Sequence, residues 1–259
     1  MKVLCIGDIV SRIGRAMLFK YVDELKYQKD VDFVIANCEN SCHGRGLSRS
    51  CYNEIKRAGV DAITMGNHVW GVKEIIGLME DEGDIVRPAN LPEGSPGPGG
   101  IIVTAKNGIK VGIVNLMGQV EMLPCDSPFS AAEREVARLR EITPVIFVDF
   151  HAEATSEKQA MGYFLDGKVS AVFGTHTHVQ TADIKLLKNG TGYITDLGMT
   201  GASDSVLGMN KTIIVNRFRT GMPQKFELAQ GRGQFCGAIF TVDDKTGKCT
   251  DAERIWIDE

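Results

Sequence analysis

The amino-acid sequence predicts an α/β fold of the α+β sandwich type, with two mixed β-sheets packed together and helices outside. Three observations carry that prediction. Residues 1–85 alternate short apolar runs with stretches of helical spacing, the pattern of buried parallel strands joined by helices. Two Asn-Gly pairs, Asn107-Gly108 and Asn189-Gly190, each lie between apolar runs and signal hairpins, which add antiparallel strands. The last third of the chain reads mostly as β.

Val3-Leu4-Cys5-Ile6-Gly7 is the first predicted strand and ends at Asp8. Over 14–28 the apolar residues Met17, Leu18, Val22 and Leu25 recur at helical spacing. The run Phe33-Val34-Ile35-Ala36-Asn37-Cys38 is the second strand and ends at Glu39, and Ser48 is placed to cap a helix that runs to Arg57. A third strand over 61–65 delivers Asn67 and His68, and a third helix follows over 71–82. Beyond that the pattern changes. The runs 101–104 and 111–114 flank Asn107-Gly108, 131–141 is helical, and 144–150 is a fully apolar strand ending at His151. Another strand over 169–173 runs into Gly174-Thr175-His176-Thr177-His178, and 184–187 with 192–195 flank the second Asn-Gly pair. The Pro- and Gly-rich stretch 92–100 is read as a surface loop joining two halves of one sandwich, so residues 1–259 are expected to form a single domain without repeats.

Composition narrows the function classes. A chain of 259 residues with 43% hydrophobic content can bury a full core. Asp8 breaks the apolar run after Lys2, leaving no signal-peptide core, and no stretch approaches the roughly 18 consecutive apolar residues of a membrane span. A cytoplasmic protein without membrane attachment is therefore expected. Seven cysteines, an odd number without a C-x-x-C pair, fit reduced thiols better than a disulfide framework. A net charge of −4 argues against general binding to nucleic-acid backbone, so any attraction for an anionic phosphate must be local.

Four of the five histidines sit in three short contexts, Gly66-Asn67-His68, Asp149-Phe150-His151 and Gly174-Thr175-His176-Thr177-His178. That distribution points to a metal site, since imidazole is the commonest metal-binding side chain, and His176 with His178 can turn toward one ion at a strand end. The remaining donors should be carboxylates or amides at other strand ends. Asp8 and Glu39-Asn40 meet that requirement. A carboxylate such as Glu39, directly after a mostly apolar run, is costly to bury without a cation. Asp8 is equally at home capping a loop, Asn67 in a turn, and His68 as an exposed or hydrogen-bonded imidazole. Cys38 and Cys42 lack zinc-finger spacing, and Cys38 should face away from Glu39, so both are read as free thiols. His43 with Arg45 is either an ordinary loop or part of a substrate entrance, Arg being suited to phosphate. The segment 203–209, with Ser205, is either an active-site loop or a plain surface loop.

The ordered set Asp, Glu-Asn, Gly-Asn-His, His and Gly-Thr-His-Thr-His resembles the calcineurin-like metallophosphoesterase superfamily. Two departures mark a branch: Gly7-Asp8-Ile9-Val10 lacks the usual histidine after the aspartate, and Glu39-Asn40 stands where the bridging aspartate normally lies. With Asn40-Ser41-Cys42-His43-Gly44-Arg45-Gly46 following, the chain looks like the YmdB-like branch over essentially its whole length. The resemblance implies a phosphodiesterase with two divalent metals bridged by Glu39 and a hydroxide that attacks the phosphorus. Asp8, Asn40 and His178 would complete one shell, and Asn67, His151 and His176 the other. His68 would act as general acid or as stabiliser of the phosphoryl oxygens. Two ions roughly 3.5 to 4 Å apart lower the pKa of the bridging water and hold the phosphate for in-line attack. The resemblance favours iron, with manganese or zinc as substitutes, a small phosphodiester substrate such as a cyclic nucleotide, including 2′,3′-cyclic AMP, and self-association as a homo-oligomer. The rival readings are a phosphomonoesterase (a nucleotidase or protein phosphatase), a mononuclear hydrolase, and a non-catalytic scaffold on the same fold.

Overall fold

A computed structural model describes residues 1–259, and in it the predicted architecture is realised as four layers: helices, sheet, sheet, helices. The first sheet is built around β1 (Lys2–Ile6), which pairs in parallel with β3 (Phe33–Asn37), itself followed by β4 (Ala62–Thr64) and β5 (Ile85–Val86). On its other side β1 pairs antiparallel with β13 (Gly233–Val242), which also carries β12 (Met199–Ala202) near its start and β14 (Cys249–Asp258) along its far edge. A two-residue strand, β2 (Asp8–Ile9), runs parallel to β12. The second sheet has the order β10 (Lys185–Leu186), β11 (Gly192–Ile194), β9 (Ala171–Thr175), β8 (Ile146–His151), β7 (Lys110–Met117) and β6 (Gly100–Thr104). Both Asn-Gly hairpins form, pairing β6 with β7 and β10 with β11 antiparallel.

The wholly apolar runs are explained by burial on both faces. Alternate residues of β1 take opposite sides: Leu4 and Ile6 pack under the helices α1 (Ser11–Lys29), α2 (Arg49–Arg57) and α3 (Ile75–Asp81), while Val3 and Cys5 face the second sheet. In that inter-sheet core Phe147 meets Phe240 with ring centroids 6.3 Å apart, a contact typical of aromatic pairs. On the far side of the second sheet α4 (Pro128–Arg140) and α5 (Thr155–Phe164) cover Val148, Phe150 and Val172. The Pro- and Gly-rich stretch 92–100 carries the chain from β5 in the first sheet to β6 in the second.

Local signals and outcome agree at Ser48, whose side chain accepts from Cys51 N at 3.2 Å as an N-cap. They differ in three places. The helix expected over 71–82 is broken into a 3₁₀ turn, Val69–Gly71, and the short α3, because the chain first turns around the Asn67-His68 corner. The other two are α5 and α6 (Lys211–Thr220), helices that the sequence pattern does not announce. In α5 the inward positions include Lys158 and Gly162, and in α6 only Ile214 is buried, so neither shows an apolar stripe. All seven cysteines are free. No helix of the chain is long and apolar enough to cross a membrane.

Candidate metal centre

Parallel strands of both sheets point their carboxyl ends at one seam, the usual location of sites in such sheets. Asp8 lies just beyond β1, Glu39 and Asn40 beyond β3, Asn67 and His68 beyond β4, His151 ends β8, and His176 and His178 follow β9. The fold therefore gathers all seven expected metal ligands and His68 in one place. Gly66 is required there, because a Cβ on it would stand 2.5 Å or less from His151 and Glu39 Oε2. His176 and His178 both adopt left-handed backbone, φ 99° and 64°, which turns the two imidazoles inward as the chain leaves β9.

The donor atoms converge more closely than unpaired groups would. Around His151 Nε2 stand three acceptors: Asn67 Oδ1 at 2.8 Å, His176 Nδ1 at 3.1 Å and Glu39 Oε1 at 3.2 Å. Ligands at neighbouring positions of an octahedral ion, with bonds of about 2.1 Å, stand about 3 Å apart, so this set has the spacing of a coordination shell. Glu39, His151 and His176 form the tightest such group. A second group lies beside it. Asp8 Oδ1 is buried without a hydrogen-bond partner, 3.7 Å from His178 Nε2, and Asn40 Nδ2 is 3.2 Å from the same nitrogen. An unsatisfied buried carboxylate oxygen beside an imidazole nitrogen is what a cation would relieve. The donor set of both groups, mixed carboxylate, amide and imidazole, fits divalent metals.

Neighbouring residues choose which nitrogen of each imidazole faces the seam. Thr175 Oγ1 donates to Asp149 Oδ1 at 2.7 Å, so it accepts from His151 Nδ1 at 2.9 Å and leaves Nε2 to the site. His178 Nδ1 donates to Leu207 O at 3.1 Å, again freeing Nε2. His176 is the reverse: Nε2 lies 3.2 Å from Glu153 Oε2, so Nδ1 points inward. Beneath the ligands Asp149 also accepts from Asn37 Nδ2 at 3.0 Å and from Thr64, a fully buried polar bridge between the two sheets. A second brace is the buried pair Lys158–Asp196 at 2.6 Å, in which Asp196 Oδ2 also accepts from Thr177 N and Oγ1 within the histidine loop. Asp149, Thr175, Asn37, Thr64, Lys158 and Asp196 went unrecognised as site residues in the sequence. The signal available for Asp149 was the one applied to Glu39, a carboxylate set in an apolar strand.

Electrostatics bear the mark of a site short of positive charge. Burial pushes the Asp8 carboxyl up, with His178 only partly opposing. Burial also acts to raise Glu39, but His151 and then His68 prevail and hold it well below the usual range. Burial disfavours charge on His151, yet Glu39, Asp8 and Asp149 push it up to about 9, while partial burial and then the neighbouring His151 push the half-buried His176 down to about 3. Burial raises Asp149 to about 6 against His151 and its hydroxyl and amide donors. One proton on His151 Nε2, facing three acceptors, thus sits where a cation would.

His68 is half-buried; its backbone N donates to Glu39 Oε2 at 2.8 Å and its Nδ1 to Asn40 Oδ1 at 2.9 Å, leaving Nε2 outward. Asn40 turns its nitrogen, not its oxygen, toward His178, so ligation through Oδ1 requires a half-turn of the amide. The residues expected to meet substrate are dispersed. His43, at φ 52°, lines a separate cavity with Arg12 and Arg15. Arg45 is exposed and packs its stem against Gly71. Ser205 Oγ donates to Ala202 O and accepts from Gly208 N, closing its own loop beside His178.

The profile of the family described as YmdB-like protein matches residues 4–255. The 2′,3′-cyclic-nucleotide 2′-phosphodiesterase of Bacillus subtilis (strain 168) is 48% identical over 259 residues, covering 100% of this chain and 98% of that protein. Two solved structures superpose with TM-score 0.93. One is a Thermus thermophilus protein described as hypothetical, 39% identical with 100% coverage of both chains. The other is a Mycoplasma pneumoniae protein described as a novel phosphatase, 37% identical and covering 100% of this chain and 93% of that one. With the whole set of strand-end donors in place and the match running from the first strand to the last, the chain belongs to the YmdB-like family.

Proposed function

We propose that the chain is a dinuclear metal-dependent phosphodiesterase acting on a 2′,3′-cyclic nucleotide, the substrate class named for the Bacillus subtilis relative. The observation that carries the reading is the convergence of Glu39, Asn67 and His176 on His151 Nε2, next to the orphaned Asp8 oxygen. Glu39 would bridge the two positions, Asp8, Asn40 and His178 would hold one ion, and Asn67, His151 and His176 the other. Bound there, two divalent ions supply Lewis acidity to the phosphate and activate the attacking water. Iron is the expected metal, with manganese or zinc as substitutes.

The chain's own residues do the rest. Glu39 is held in place by the His68 backbone N–H, and once the Asn40 amide turns so that its Oδ1 can ligate, its Nδ2 would donate to His68 Nδ1 and leave the ring proton on Nε2, from which it can pass to the departing oxygen. The two braces, one between the sheets through Asp149 and one from α5 to the histidine loop through Lys158–Asp196, hold the imidazoles at productive angles before substrate arrives. None of the expected ligand positions is lost, which removes the main reason for a non-catalytic scaffold.

The test is the initial rate on a chromogenic phosphodiester after Mn²⁺ reconstitution, for the wild type and Glu39→Ala, with a chromogenic monoester alongside. A chelator-sensitive diester rate that collapses in the variant is expected. No diester rate above background with metal bound, or a monoester rate far above it, would overturn the reading.

A further inference from the structure

Next to His178 opens a cavity of about 280 Å³ that the metal chemistry does not use. It sits at the small end of ligand pockets, which run from roughly 300 Å³, a size for one small molecule and not for a polymer. Its outer wall is the edge strand β14. There Ala252 packs toward the second sheet, and Arg254 and Trp256 continue the same face past it, two residues apart each time. Trp256 is 61% exposed, although its ring lines a cavity. The Arg254 side chain makes no ion pair or hydrogen bond within the chain, and its guanidinium lies 5.9 Å from the Trp256 ring centroid. On the neighbouring strand Gln234 donates Nε2 to Met199 O at 3.0 Å, and its Oε1 makes no hydrogen bond within the chain. On the floor the two hydrogens of Gln180 Nε2 are shared among Leu197 O, Gly237 O and Ile255 O, at 3.0 to 3.1 Å, which ties three segments together.

An uncovered indole, a free guanidinium and a free amide oxygen around one small cavity are the groups that stack on a planar heterocycle and read its edge. The cavity shares His178 and Leu207, the acceptor of His178 Nδ1, with the metal centre. We infer that it is the nucleobase subsite: Trp256 stacks the base, Gln234 and Arg254 meet its polar edge, and the phosphate lies at the metals. The inference rests on the nucleotide-diesterase reading above. It assigns the preference for nucleotides to β14, a strand that contributes nothing to the chemistry.

Two measurements test it on the Mn²⁺-loaded protein. Trp256→Ala should lower kcat/KM for 2′,3′-cyclic AMP about tenfold, chiefly through KM, as expected for a lost base stack. Its rate on methyl 4-nitrophenyl phosphate, which has no base, should stay within twofold, and Trp256→Phe should recover most of the loss. An equal loss on both diesters, or none on the nucleotide, overturns the subsite. Separately, the chain has two tryptophans, so Trp70→Phe leaves Trp256 as the sole reporter. Its fluorescence should be quenched saturably by adenosine 3′-monophosphate and unmoved by inorganic phosphate; absence of quenching overturns the assignment. If neither diester is hydrolysed by the wild type, the enzymatic reading fails, while the titration still decides the subsite.

Discussion

His151 shows how much one side chain can carry. Its Nε2 proton is shared among three neighbouring acceptors, and a metal must expel that proton to bind. Because the group titrates near 9, apparent metal affinity should rise about tenfold per pH unit below that value and flatten above it. The stability of the chelated protein should move the other way. A histidine raised from its ordinary value contributes stability that is fully present below about 6.5 and is lost as pH rises through about 9. Melting temperatures from pH 6 to 9.5 in chelator and in Mn²⁺ check both signs; parallel curves would refute the account. The proposed ligands are legible because each is a polar residue at or just beyond the end of a strand. Their orienting partners are not. Thr175, Thr64 and Asn37 are ordinary letters in buried strands, and only the packing of β3 and β4 against β8 and β9 across the seam gives them a role.

At the scale of elements, α5 was illegible for the same reason that it matters. Its inward-facing residues include Lys158, which ordinary periodicity assigns to solvent, and the partner that makes burial tolerable, Asp196, is 38 residues away. Lys158→Ala would leave Asp196 buried and uncompensated and should cost about 3–5 kcal/mol. Because Asp196 also holds Thr177, metal affinity should fall along with stability. Chemical denaturation and a metal titration on the same variant check this, and stability lost with affinity intact would uncouple the brace from the loop. The strands and the capped α2 were legible because local cues and tertiary contacts agree; α6, with one buried residue, offered no stripe to read.

Across the whole molecule, the proposed ligands come from both sheets, Asp8, Glu39, Asn40 and Asn67 from one and His151, His176 and His178 from the other. Ions at the seam therefore bind only the assembled sandwich and stabilise it by mass action. Mn²⁺ at about 100 times its Kd should add about 2.7 kcal/mol for each ion bound, read as a rise in Tm that Glu39→Ala abolishes. The order of strands has a further consequence. β13 lies between β1 and β14, so the opening strand of the chain finds one of its two neighbours only in residues 237–241. During synthesis β1 leaves the ribosome long before β13, and a product cut short before Gly233 presents β1 as a bare apolar edge. Translation interrupted before Gly233 would then yield a sticky, protease-prone species and no partly working enzyme.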